Sequence, residues 1–518
     1  MALRVLQTVA AVAVLCRFPV TLTRAGDRTE GTPGQSYVAA VYEHQVILNP
    51  EPHVPLSRAA ALKHMMSNLD VYEEQAARAA EQGGQIIVFP EDGLQGFNFS
   101  RLSISAYLET IPDPQSEDWN PCTQTDRHTH TEVLQRLSCM ARRHSLYLVA
   151  NMADLQPCRQ TSHPTCPPDG HWQFNTDVVF RSDGSLAARY HKHNLYFENA
   201  FDAPPRLEVV TFDTPFAGRF GVFTCFDILF HDPTIRLLEQ GIRQMVYPTA
   251  WMNQLPLLSA VQFQRAFSLG ANTTLLAANI RADSLGMTGS GIFTPGTAIY
   301  HHARAGQPEE GRLLVLRIPV LDTAWLGTEK RAKGQAGGEG EDRQHCQEDS
   351  LSTSPPTFSP SSPLPFTSSM MYDPFSFLLL SGSEGQLTVC DGPFCCRLQY
   401  RRSPQGDNTE LYALGAFSGT HTVNGRYNVQ VCALVRCLGS EVSSCGQEVE
   451  EAESRVDFLL EGKFGTRHVY PSLLGSGMVL EQPDQVKTTA DGRVAMEHSG
   501  MTVGLVTACL YGRVYDQD

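Results

Sequence analysis

The sequence is short of positive charge, and that shortage removes one class of partner at the outset. Its 518 residues carry 40 Lys and Arg against 55 Asp and Glu, a formal net charge of −15. Such a balance repels phosphate backbones, so no nucleic-acid partner is expected. Long apolar runs are also missing. Beyond the N-terminus no stretch supplies the roughly 18 apolar residues of a membrane-spanning helix, so no transmembrane span is expected. The polar ending "LYGRVYDQD" lacks the hydrophobic tail of a lipid-anchor signal. There is no G-x-S-x-G, so a serine-hydrolase elbow lacks its signature, and no G-x-x-x-x-G-K-[ST] to cradle phosphate. The pairs His128-Thr129-His130 and His191-Lys192-His193 have no Cys or carboxylate at the usual zinc spacing. Neither a metal nor a cofactor is expected.

What is present points to a large, exported, folded chain. Hydrophobic residues make up 42% and charged residues 18%, which suits a globular protein, and the length exceeds one ordinary core. Arg4, the apolar run Val5 to Leu15 and the small-x-small triplet Thr23-Arg24-Ala25 read as a signal peptide over residues 1–25. A buried N-terminal strand or helix is the competing reading. The signal implies a secreted, extracellular protein. Asn98-Phe99-Ser100 and Asn272-Thr273-Thr274 are glycan acceptor patterns that suit that route.

Fourteen cysteines sharpen this. Cys16 lies in the signal, and an odd number remains, so one thiol stays free or pairs between chains. Cys225 is the candidate, in the most hydrophobic neighbourhood and far from the rest. Cys122 and Cys139 form one near pair, Cys158 and Cys166 another. Cys390, Cys395, Cys396, Cys432, Cys437 and Cys445 cluster near the C-terminus, with Cys346 and Cys509 outlying. Cys509 could equally be a second buried free thiol. Spacing leaves the connectivity open.

From Tyr37 to about Val320, short apolar runs alternate with longer runs of helical period. "YVAAVYEH", "QIIVF", "LYLVAN", "FGVFTC", "RQMVYP" and "TLLAAN" read as strands, and "TDVVF"/"LAARYHK" as a hairpin. Arg58–Gln82, Thr131–His144, Pro233–Gln240 and Leu257–Leu269 read as helices. This alternation predicts a layered α/β domain over residues 36–328. Residues 329–367, Gly- and charge-rich and then Ser/Pro-rich, read as a linker or exposed loop. Residues 368–518 hold short strand-like runs separated by glycine turns and cysteines. They predict a smaller β-rich domain stapled by disulfides.

Three polar residues follow three of the strands: Glu91 after "QIIVFP", Lys192 after "ARYH", Cys225 after "FGVFT". In layered α/β folds such ends gather ligands. Singly, each has a plainer reading: a solvated carboxylate, a surface lysine, a core thiol. Together they make one chemistry. A thiol needs its proton removed, and Glu91 can take it as general base. Attack on an amide creates an oxyanion that Lys192 and the backbone N–H of Phe226 can stabilise. Glu91 then protonates the leaving amine and activates water against the acyl-thioenzyme. Asp227 reads as a brace of the turn after Cys225.

Glu, Lys and Cys in this order, within "FPEDG", "KHNLYFE" and "TCFDILF", resemble the nitrilase-like carbon–nitrogen hydrolases. Longer words resemble their biotinidase and vanin branch: "VFPEDGLQGFNFS", "RYHKHNLYFE", "TPFAGRFGVFTCFDILF", "YPTAWMNQLPLL" and "ELYALGAFSGTHTVNGRY". "MMYD", "SGMVLEQPDQ" and "GLVTACLYGRVYDQD" resemble the biotinidase side of that branch. The resemblance implies a four-layer αββα catalytic domain followed by a β-rich base domain. It implies hydrolysis of biocytin and biotinyl peptides, with biotinyl transfer to amines as a side reaction and a small-molecule substrate as the partner. Pantetheine hydrolysis is the alternative, and a non-catalytic recognition protein on the same scaffold a second. The resemblance also makes Glu198 a second glutamate that orients Lys192, or a structural ion-pair partner. Trp251 becomes a pocket wall, or a core aromatic. A monomer is expected.

Overall fold

The computed structural model describes residues 35–304, 306–321, 364–403 and 410–518. The segment read as a signal peptide, Cys16, Cys346 and residues 329–363 of the stretch read as a linker lie outside the described residues.

The first part contains strands β1 (Ser36–Gln45), β2 (Ile86–Val88), β3 (Tyr147–Pro157), β4 (His171–Phe180), β5 (Leu186–His191), β6 (Thr211–Thr214), β7 (Gly218–Val222), β8 (Gln244–Pro248), β9 (Thr274–Ala278), β10 (Ile280–Arg281), β11 (Ser290–Phe293), β12 (Ala298–His301) and β13 (Arg312–Pro319). Its helices are α1 (Arg58–Glu81), α2 (Glu132–His144), α3 (Arg236–Glu239) and α4 (Ala260–Ala271). Two sheets form, ordered β10-β1-β2-β3-β4-β5 with β13 beside β1, and β12-β11-β9-β8-β7-β6. Successive side chains of a strand point to opposite faces, and the cores obey that period. Ala39, Val41, Ile86, Val88 and Val149 enter a core between the two sheets with Phe220, Val222, Val246 and Leu276. Their neighbours Ala40, Tyr42, Ile87 and Leu148 face the other way, onto α1 and α2. Helix α1 buries Ala61, Met65, Leu69, Tyr72, Ala76 and Ala79, one helical face. On the far side α4 covers the second sheet, completing the αββα layers.

The second part contains β14 (Phe366–Met370), β15 (Asp373–Leu379), β16 (Glu384–Asp391), β17 (Phe394–Arg402), β18 (Tyr412–His421), β19 (Tyr427–Arg436), β20 (Val456–Lys463), β21 (Val469–Gly475), β22 (Val479–Leu480), β23 (Gln485–Thr488), β24 (Arg493–His498) and β25 (Leu505–Arg513). They form two further sheets, β14-β15-β18-β19-β25-β21-β22 and β16-β17-β20-β24-β23. Phe366 and Thr367, counted with the linker on composition, belong to β14. That strand is a sheet edge, and its exposed Thr367 and half-buried Ser368 made it look like the polar run before it.

The larger of these sheets is buried on both faces. Leu414, Cys432 and Leu434 point to the smaller sheet, whereas Ala413, Val431, Ala433 and Tyr470 join α4 and the second αββα sheet in one core. A side chain at Gly270 of α4 would sit 2.6 Å from the Val469 carbonyl oxygen, so only glycine permits this approach of helix to sheet. Arg513, fully buried on β25, donates to the Leu229 carbonyl of the first part (2.7 Å) and to Asp518 (2.6 Å). Arg513→Leu would take the donor from the Leu229 carbonyl, while the exposed Asp518 turns to water. It should cost about 1–3 kcal/mol, read as a lowered thermal midpoint.

Five disulfides form among the described residues: Cys122–Cys139, Cys158–Cys166, Cys390–Cys395, Cys396–Cys432 and Cys437–Cys445. The structure settles the connectivity that spacing left open: each near pair joins within itself, and the C-terminal cluster resolves into three bridges. Cys225 and Cys509 are both free and buried. Among the described residues no helix is long and apolar enough to cross a membrane.

Candidate active site

Strand β2 ends before Pro90, which cannot donate to a ladder, and the chain turns sharply at Glu91-Asp92-Gly93. Asp92 lies in the left-handed region (φ 55°). A side chain at Gly93 would collide with the Tyr72 hydroxyl of α1 at 2.0 Å. The turn is therefore pressed against the helix, and Glu91 points inward, 1% exposed. Strand β5 delivers Lys192, whose N–H donates to the Asn175 carbonyl on the adjacent β4 (2.9 Å). Beyond β7, Thr224 and Asp227 form a reciprocal capping box around the short turn Cys225–Leu229. Cys225 itself has φ 46°, a strained backbone for a residue with a Cβ. The turn is held from several sides. Asp227 accepts from the Tyr190 hydroxyl (2.7 Å), the Thr224 N–H (3.0 Å) and Asn194. The Tyr247 hydroxyl donates to the Cys225 carbonyl (2.8 Å). Asp227 thus braces the turn as the sequence suggested.

The three strand ends converge. Lys192 Nζ lies 2.6 Å from Glu91 Oε1. Asn175 Nδ2 donates to the same oxygen (2.8 Å), and the Ala250 N–H donates to Glu91 Oε2 (2.9 Å). Glu198 pairs with Lys192 and accepts from Asn175 (2.7 Å). One pocket is lined by Glu91, Lys192, Glu198 and Cys225 together. Trp251 lines a second pocket that also reaches Cys225, and its indole N–H donates to the Leu258 carbonyl (2.9 Å). Phe226, next to Cys225, lines that pocket too. Asn98 is exposed at the rim of the first pocket, and Asn272 is exposed at the end of α4, away from both.

Burial sets the electrostatics. It pushes the Cys225 thiol well above its usual value, and the Glu91 charge adds to this, against opposition from Lys192, Thr249 and the Ala250 backbone. The thiol therefore stays protonated near neutral pH, and a nearby base must take its proton. Burial alone would discharge Lys192, but the Glu198 and Glu91 carboxylates hold its pKa well above the usual ammonium range. Lys192 is thus a fixed cation. Burial also raises Asp92 and Asp177 well above the carboxylate range, with Glu91 adding to both.

Sequence reasoning missed the frame behind these groups. Asn151 donates to Asn175 (2.6 Å) and Asp177 (2.9 Å) and accepts from the Asp92 N–H (3.0 Å), while Thr224 donates to Asp177 (2.7 Å). These residues tie all three strand ends into one network. The only local hint was polar residues inside the strand word "FNTDVVF", where alternation calls for apolar ones. His191 is taken up by Asp154 and Glu208, each at 2.8 Å.

Residues 50–286 match the carbon-nitrogen hydrolase family, and residues 364–518 match the Vanin C-terminal domain. A biotinidase from Takifugu rubripes is 68% identical over 93% of this chain and 95% of its own. A Bos taurus biotinidase is 48% identical over 98% of this chain and 97% of its own. A Bos taurus pantetheinase is 43% identical over 93% and 90% respectively. The layered fold and these matches define a carbon–nitrogen hydrolase that acts on amides. Within that class the chain belongs to the biotinidase family, in the nitrilase–vanin branch.

Proposed function

We propose that the protein is a secreted thiol amidase that hydrolyses biocytin and biotinyl peptides, with Glu91, Lys192 and Cys225 as its catalytic residues. The observation that carries this is the meeting of a buried free thiol, a buried carboxylate and a fixed ammonium in one pocket. Glu91 takes the Cys225 proton as sulfur attacks the amide carbonyl. The oxyanion is stabilised by Lys192 and the Phe226 N–H. As the tetrahedral adduct collapses, Glu91 gives its proton to the leaving nitrogen, the C–N bond breaks, and free amine departs. Water, deprotonated by Glu91, then cleaves the thioester to the free acid and restores the thiol. An amine in place of water would give acyl transfer. Glu198 holds Lys192 in place. Secretion is supported by five disulfides and two exposed sequon asparagines. Catalysis is assigned to residues 36–328 and the base-domain role to residues from Phe366 onward, in a monomer.

The test gives the purified protein biocytin and pantetheine at equal concentration, with Cys225→Ala as the blank. Faster Cys225-dependent release of biotin is expected. Faster cleavage of pantetheine would place the acyl preference with the pantetheinases. Silence on both would leave a recognition protein on a hydrolase scaffold.

A further inference from the structure

Two pockets meet at Cys225, sharing Tyr196, Ala250 and Met252. Glu91 lines only one of them. That pocket must receive the leaving amine and the attacking water, because Glu91 handles both protons. The acyl chain is then left with the other pocket, and that pocket crosses the domain boundary. Its walls include Phe226 and Trp251 from the αββα part, and His421, Asn424 and Tyr427 from the C-terminal part.

The C-terminal residues lie at the tip of the β18–β19 hairpin, where His421 pairs with Tyr427. Asn424 (φ 58°) and Gly425 (φ 145°) form the bend. A side chain at Gly425 would lie 2.7 Å from the Phe226 ring, so the hairpin tip rests on the residue next to the nucleophile. Two polar devices are mounted there. Asn424 lines the pocket beside Tyr196 and Gln254 of the αββα part. His421 Nδ1 lies 2.7 Å from Asp373 Oδ2, with both side chains about nine-tenths buried. The carboxylate fixes the proton of a neutral ring on Nδ1, which makes Nε2 an acceptor. Asp373 ends the word "MMYD", and His421 and Asn424 lie in "THTVNGRY". The reaction uses neither word.

We propose that His421, positioned by Asp373, and Asn424 read the polar head of the acyl group and so set acyl specificity. The pocket offers aromatic walls for a hydrocarbon stem, then an acceptor (His421 Nε2) and an amide that both donates and accepts (Asn424). That set fits a head carrying N–H donors beside a carbonyl, as in a cyclic urea. A plain alkyl end would leave these polar groups unpaired. The inference rests on the amidase reading above, in that Cys225 carries the acyl group.

The experiment uses the full chain and two substrate series. In one the leaving amine is fixed as p-nitroaniline and the acyl group is biotinyl, dethiobiotinyl, pantothenyl or hexanoyl. In the other the acyl group is biotinyl and the amine is lysine or a lysyl peptide. Asn424→Gly keeps the left-handed bend, and His421→Gln keeps the volume. Each variant should lower kcat/KM for the urea-bearing acyl groups by about tenfold or more while hexanoyl cleavage holds, so the acyl ratio collapses. The amine ratio and the iodoacetamide labelling rate of Cys225 should stay as in wild type. An unchanged acyl ratio in both variants overturns the inference. So does an equal loss on every acyl group, which is what a merely structural role would give. A wild type that prefers pantothenyl would instead correct the substrate reading. The inference is then judged by the pantothenyl-to-hexanoyl ratio in the same variants.

Discussion

Cys225→Ala should fold like the wild type and hydrolyse no amide above background, a loss on the order of 10⁴-fold or more. The loss is large because, among the described residues, no other thiol lines the junction of the two pockets. Folding should survive for a local reason. The turn is fixed by Asp227 and by the Tyr247 bond to the Cys225 carbonyl, and both contacts are made to the main chain or by other residues. Alanine pays the same backbone strain at φ 46° that cysteine does. Turnover of biotinyl amide, circular dichroism and thermal unfolding on the same preparation check this. Turnover near wild type in the purified variant would remove Cys225 from the mechanism.

Glu91→Gln is the second large effect, and it separates two roles that a simple loss of activity would merge. The amide is nearly isosteric but cannot shuttle a proton, so kcat should fall by about 10²–10⁴-fold. The thiol should respond in the opposite direction. Glu91 is one of the charges that raise the Cys225 pKa, whereas Lys192 lowers it. Removing the carboxylate while Lys192 stays charged through Glu198 must shift that pKa down. The pH midpoint for iodoacetamide alkylation of Cys225 should therefore move to lower pH, even as loss of the base slows labelling near neutrality. A loss of turnover much larger than the loss of labelling identifies Glu91 as proton donor to the leaving amine as well as base for the thiol. Labelling lost as fully as turnover would leave Glu91 only an activator of the thiol.

Much of the fold was legible because its signals are local. The helical face of α1 repeats its apolar residues at helical spacing. The strand ends at Glu91, Lys192 and Cys225 are marked by proline, by the end of an alternating run and by the cysteine itself. The near cysteine pairs stood out by their short spacing, although the bridges themselves did not follow from it. The edge strand β14 was missed because an edge exposes one face, and its Thr and Ser resemble a linker. The Asn175–Asn151–Asp177 frame was missed because its members lie on two strands, β3 and β4, whose register no local pattern reveals.

The sequence by itself determined the layered α/β class, the disulfide-stapled β-rich second part, and the three groups proposed as the amidase machinery. Each of these is written in residue type and short-range spacing. Only the tertiary structure decided that Lys192 stays charged, since its paired carboxylates Glu91 and Glu198 are 101 and 6 residues away. Only it decided that the thiol stays protonated, because burial is a property of the packed core. It alone brought a hairpin some 200 residues downstream of Cys225 onto the pocket beside that thiol, with Gly425 against Phe226. Charge state and pocket walls are set by which surfaces exclude water from which groups, and that is fixed only once distant segments have packed.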